Sequence, residues 1–191
     1  YLHQSLSLAE ATEVEKNIES KRLYPFVCIP FYLNALVEYY KCNHCCPELR
    51  KELYEFWIER AFFIDDRCST DIIGLRDRIE SKLMGIAMVM QITESQNLLT
   101  KDILGDLKLS EQKLEECFHL TLFQKKNDRC SFEHNAFKEY YAATYLSKLS
   151  LTELKKFVCY NDDPNGKIRE SWYNTVLLTL SIKEKGTEYQ E

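Results

Sequence analysis

Residues 121–134, TLFQKKNDRCSFEH, set two short segments, LF and CSF, on either side of a polar QKKNDR turn. That pattern predicts a small β-hairpin. The remainder of the chain reads as helix, and one hairpin inside a helical chain leaves few folds open. Helix, helix, helix, hairpin, helix is the order of a winged-helix unit with a helix appended. Composition agrees, because only 5 Gly and 4 Pro interrupt a chain of 191 residues in which 13% are aromatic. A hydrophobic fraction of 45% is enough for a real core. The expected fold is mainly α: a helical bundle, then a winged-helix domain with its hairpin, then the start of a further helical region.

The helices are marked by their start signals. Ser7-Leu8-Ala9-Glu10 fits a capping box and predicts a helix from Leu8 to Ser20. YPFVCIP breaks it. Pro30 then opens FYLNALVEYYK, since its missing N–H costs nothing in a first turn. That helix is apolar on most sides through Phe31, Leu33, Ala35, Leu36, Val37, Tyr39 and Tyr40, and is expected to be central. Pro47 is read as the first residue of the next helix, in which Leu49, Leu53, Phe56, Trp57, Ala61 and Ile64 form one stripe. A helix covers Asp71 to Ile92, and in its second half, KLMGIAMVMQI, apolar residues dominate and charges vanish after Lys82. LLTKDILGDL and SEQKLEECFHL are two short helices before the hairpin. Ser150-Leu151-Thr152-Glu153 is a second capping box, YNDDPNGK a loop, and IRESWYNTVLLTLSIKEK a last helix. The acidic pairs Asp65-Asp66 and Asp162-Asp163 read as a helix end and a turn. Domain boundaries are placed at 1–70, 71–149 and 150–191.

Eight cysteines in a chain without a signal peptide are expected to be reduced thiols of a cytoplasmic protein. Cys28, Cys117 and Cys159 have apolar neighbours and are expected to pack as small hydrophobes. In KCNHCCPELR, Cys42 and Cys45 form a C-x-x-C pair beside His44 and Cys46. Structural zinc takes four converging ligands, and no second pair appears; Cys68, Cys117, Cys130 and Cys159 stand alone. The stretch therefore reads first as a loop between helices.

Composition and motifs exclude several functions. The net charge of −5 argues against a nucleic-acid footprint, which needs a basic patch. No apolar run is long enough to span a membrane. There is no phosphate-cradling G-x-x-x-x-G-K-[ST], no G-x-G-x-x-G and no H-E-x-x-H. His3, His44, His119 and His134 lack ligand spacing. An independent enzyme is not expected. The chain does not begin with Met, which suggests a piece of something longer.

SFEHNAFKEYYAATYL resembles the F-x-H-x-x-F-Q-E-Y-F-A-A-x-Y-L signature of NACHT-type signalling NTPases of the STAND class. Phe132, His134, Phe137, Glu139, Tyr140, Ala142, Ala143, Tyr145 and Leu146 match in place. Lys138 stands where Gln is usual and Tyr141 where Phe is usual. CIPFYLNALVEYY is similar to the proline-containing helix start of the first helical domain that follows the ATPase core in this family. ELYEFWIER and KLMGIAMVMQ resemble segments between these two motifs in bacterial members. The resemblance spans roughly residues 6–150.

It implies a regulatory, autoinhibitory portion of a signalling NTPase, of bacterial style and serving defence, with the ATPase core upstream in the same chain. The fragment itself would not hydrolyse ATP and would carry no cofactor of its own; ADP or ATP with Mg belongs to the parent protein. Pro30 would pack near adenine and His134 would contact the β-phosphate of ADP. The parent would oligomerise when active, with neither nucleic acid nor membrane as partner. Read from the residues alone, His134 caps a helix or stacks on Phe132 or Phe137, and Pro30 only starts a helix. Phe137, Tyr141 and Tyr145 read as a core stripe, and Glu139 as a partner of a nearby Lys or of backbone groups. Two further readings stay open: a helical protein-interaction adaptor that uses no nucleotide, and a DNA-binding winged helix. For the latter, the wing QKKNDR is basic but the candidate recognition helix SEQKLEECFHL is acidic.

Overall fold

The computed structural model describes residues 1–21, 23, 27–64, 72–160 and 166–187. The expected break at 24–26, both acidic pairs, most of the 160–167 loop and Cys68 lie outside the described residues. The chain is mainly α with a small three-stranded antiparallel sheet. It divides into two compact units, Tyr1–Glu59 and Arg60–Glu191. The sequence reading had set its first boundary after residue 70 and its second after residue 149.

The first unit begins with α1 (Leu2–Ser5) and α2 (Leu8–Ser20). The capping box that starts α2 is complete: the Ser7 side chain accepts from Glu10 N–H, and the Glu10 carboxylate accepts from Ser7 N–H. α2 buries Ala11, Val14 and Ile18, spaced by three and four, as one face of a helix requires. Pro30 opens α3 (Pro30–Asn43), which buries Tyr32, Ala35, Leu36, Val37 and Tyr40. α4 (Arg50–Ile64) supplies Leu53, Tyr54 and Ile58. Aromatic side chains join α3 to α4. Phe31 meets Trp57 with ring centroids 5.1 Å apart, Tyr39 meets Phe56 at 5.3 Å, and the hydroxyls of Tyr32 and Tyr54 share a hydrogen bond of 2.9 Å in the interior.

Two expectations are corrected in this unit. Pro47 is not the first residue of α4, which starts at Arg50; Glu48 N–H instead donates to the Glu52 carboxylate just ahead of the helix. Cys28 is exposed rather than packed, because it precedes α3 in an irregular segment that turns its side chain outward.

In the second unit α5 (Ile72–Ile92) is followed by β1 (Leu98–Leu99), α6 (Thr100–Asp106) and α7 (Glu111–Glu115). α7 runs on as a 3-10 turn, Glu116–His119. The hairpin is β2 (Phe123–Lys126) and β3 (Arg129–Phe132), closed by Asn127 and Asp128. Asn127 takes a left-handed φ of 56°, which Asn tolerates better than most residues. Then come α8 (Asn135–Ser147), α9 (Leu151–Val158) and α10 (Tyr173–Thr187). α8 packs against both α5 and α10.

Leu98-Leu99, expected inside a helix, forms the third strand: Leu98 pairs with Cys130 and Leu99 with Arg129. Tertiary pairing overrides helix propensity here, because the free side of β3 offers hydrogen bonds that a local turn cannot. The last helix starts at Tyr173, not at Ile168. Ile168 bridges Cys159, and Glu170–Trp172 is a 3-10 turn that seats the fully buried Trp172. Cys159 is only half-buried, whereas Cys117 is fully buried.

Candidate functional site

His134 stands where β3 ends and α8 begins. Its backbone is extended (φ −137°, ψ 143°) and it is the N-cap of α8. Nδ1 accepts a hydrogen bond of 3.1 Å from Ala136 N–H. An imidazole nitrogen here does what a Ser or Asp oxygen does at other helix starts: it satisfies a backbone donor that has no partner within the helix. Nδ1 is thus an acceptor, and in the neutral ring the proton sits on Nε2. Burial pulls the His134 pKa below the ordinary imidazole value, with Glu133 opposing. The ring is neutral at pH 7 in this arrangement.

The remaining motif residues build the wall behind it. Phe132 is buried and meets both Phe123, at 5.1 Å, and Tyr141, at 5.9 Å. Phe137, Ala142, Ala143 and Leu146 are fully buried. Tyr145 is corrected: it is exposed, not part of the core stripe. Steps of four residues drift about 40° around a helix with 3.6 residues per turn, so the third member of the stripe has left the buried face.

Lys138 and Glu139 are the polar surprise. Lys138 is buried, and burial lowers its pKa, with Glu139 and Glu94 opposing. Burial raises the Glu139 pKa, opposed by hydrogen bonds from Asn174 and Asn135 and by the charge of Lys138. The bond from Asn135 Nδ2 measures 2.7 Å. Glu139 thereby ties the first turn of α8 to the first turn of α10. Sequence reasoning had offered a lysine or backbone groups as its partner and missed Asn174, because that residue arrives from a distant helix.

Pro30 belongs to the first unit and occupies the first position of α3, exposed at the surface. Tyr32 N–H and Leu33 N–H both donate to Ile29 O, so the helix starts without any donor from Pro30. A cavity of about 410 Å³ in the same unit is lined by Leu2, Glu15, Ile18, Glu19, Val27, Cys28 and Leu33, and not by Pro30.

The cysteine loop is built as a helix end. His44 is the left-handed C-cap of α3, and its N–H donates to Tyr40 O. Cys42 and Cys45 are exposed and Cys46 is buried, its carbonyl accepting from Lys21 Nζ. Among the described residues no group of three His, Cys, Asp or Glu is placed to hold a metal ion. Nor is any helix among them long and apolar enough to cross a membrane. Comparison with protein-family models finds no match, and comparison with curated proteins finds none either.

Proposed function

We propose that this chain is the nucleotide-state-sensing, autoinhibitory portion of a NACHT-like STAND NTPase, acting in signal transduction and bacterial defence from the cytoplasm. The observation that carries the reading is the run from Phe132 to Leu146, in which the motif histidine is the N-cap of a 13-residue helix. The dipole of a helix of this length favours an anion at its start, although His134 itself already holds the Ala136 and Phe137 N–H groups.

ADP, with Mg in the parent protein, supplies the negative charge. His134 uses Nδ1 to hold Ala136 N–H and offers Nε2–H as the donor to the β-phosphate. A phosphate neighbour raises an imidazole pKa, against the lowering that burial causes. Pro30 presents a rigid apolar surface to adenine. A nucleotide that bonds His134 in one domain arrangement only stabilises that arrangement by its differential affinity. The active parent then assembles with further copies of itself. In this reading the chain supplies positioning groups, and hydrolysis belongs to the ATPase core of the parent.

The test uses the parent protein with its ATPase core. Denaturing it and chromatographing the released nucleotide should yield ADP from wild type and markedly less from His134→Ala. Equal ADP from both would return His134 to a purely structural cap.

A second reading, a helical adaptor that uses no nucleotide, is favoured by one observation. Tyr173, Leu177 and Leu180 form an exposed apolar row on α10. A parent that releases no nucleotide and binds none when it is added supports that reading. DNA binding has less behind it, since α7 carries Glu111 and Glu115 against Lys113.

A further inference from the structure

We propose that the open edge of β2 is a docking site for an acidic protein segment in extended conformation. The sheet order is β1-β3-β2, so β3 is central and β2 has one edge on which no described strand lies. The register fixes which groups face that edge. Glu133 N–H donates to Leu122 O, and Gln124 pairs with Ser131 and Lys126 with Arg129. Ladder bonds in an antiparallel pair come at alternate residues. Leu122, Gln124 and Lys126 therefore turn their backbone groups to β3, while Phe123 and Lys125 turn theirs away. Phe123 N–H is taken by Leu120 O at 3.3 Å. The outward groups left over are the Phe123 carbonyl and both backbone groups of Lys125, and no described residue bonds them. Such a row is a template for one more strand.

Charge selects the occupant. Lys126 and Arg129 are directly opposed in the register and share a face, an arrangement that destabilises a sheet. Lys126 has no carboxylate within ion-pair distance among the described residues. Arg129 donates to Asn97 Oδ1 at 2.6 Å, a neutral partner. Lys125, Lys126 and Arg129 are all exposed, and Asp128 is the one acid in the turn between them. A strand with Asp or Glu at alternate positions would set carboxylates on the face of Lys126 and Arg129 while its backbone paired with Lys125. A nucleic acid fits less well. It has no strand-like backbone to pair. Glu111 and Glu115 of α7 line the small cavity that Lys125 borders, so the carboxylates of the incoming strand belong on the other face, with Lys126 and Arg129.

The test titrates the full chain with a fluorescent peptide alternating Glu with Thr, followed by anisotropy at low salt. Saturable binding is expected. Lys126→Ser and Arg129→Ser should each weaken it by about fivefold, the upper end for one exposed charge pair. Lys125→Pro removes the outward N–H without touching a ladder bond. It should abolish binding while leaving circular dichroism unchanged. If that variant misfolds, the same peptide N-methylated at alternate residues replaces it, and should not bind wild type. Binding that survives the loss of the backbone donors overturns the proposal. So does the absence of saturable binding, or a duplex DNA that binds more tightly than the peptide in the same buffer.

Discussion

The rings of Phe132 and Tyr141 lie 5.9 Å apart with an interplanar angle of 29°, fastening the end of β3 to the second turn of α8. Phe123 also meets Phe132, at 5.1 Å, so one side chain joins both strands to the helix. Phe132→Ala should destabilise the protein by about 3 kcal/mol, the usual scale for emptying a buried aromatic site. Chemical denaturation measures this. A loss below about 1 kcal/mol would mean that the hairpin is held by other contacts.

His134 is expected to matter to stability whether or not a nucleotide binds. His134→Ala should cost about 1 kcal/mol through the lost cap, and His134→Asn should recover most of it. If Asn restores stability but not ADP retention in the parent, the ring has a role beyond capping.

The same bond has a pH dependence with a definite sign. Burial lowers the folded pKa of His134, so the unfolded chain takes up the proton first. Its contribution is fully present above the ordinary imidazole value of about 6.5 and is lost as pH falls through the lowered folded value. Protonation at Nδ1 also removes the acceptor for Ala136 N–H. The melting-temperature gap between wild type and His134→Asn should therefore shift in favour of Asn as the solution is acidified. A gap independent of pH would show that the histidine titrates as it does in the unfolded chain.

Thiol labelling should separate six of the cysteines into two groups. Burial raises Cys46 to about 11 and Cys117 to about 12, and it also raises Cys130. The thiolate is the reactive form. Cys28, Cys42 and Cys45 are exposed and should be alkylated first at neutral pH, while Cys46, Cys117 and Cys130 wait for denaturant. Mass spectrometry of the labelled protein reads the order directly. Early modification of Cys117 would contradict its place in the core.

The hydroxyl pair of Tyr32 and Tyr54 gives a test inside the first unit. Tyr32→Phe and Tyr54→Phe should each cost about 1 kcal/mol, and the double variant should cost less than their sum. Strict additivity would indicate that each hydroxyl is satisfied independently of the other.

Local chemistry was legible where it is written in neighbouring residues. Ser7 with Glu10, and Ser150 with Glu153, form both reciprocal bonds that their spacing announces. The hairpin around Asn127 was readable from a polar turn between apolar segments. The helix after His134 was readable too, since a cap needs only the residues two and three places ahead. A ligand for the histidine was suggested by resemblance alone, because helical periodicity carries no mark of one.

The sequence by itself determined a mainly helical chain with one hairpin and two capping boxes, because helices and caps depend on interactions within four residues and the hairpin on strands joined by one short turn. Tertiary structure decided the rest. Leu98-Leu99 became a strand because β3 had an open side. Glu139 found Asn174 only once α10 lay beside α8. Tyr145 turned outward while Tyr141 stayed buried, because the helical drift is read against a neighbour and not along the chain. Hydrogen bonds and burial between distant segments depend on which surfaces meet, and no local pattern encodes that meeting.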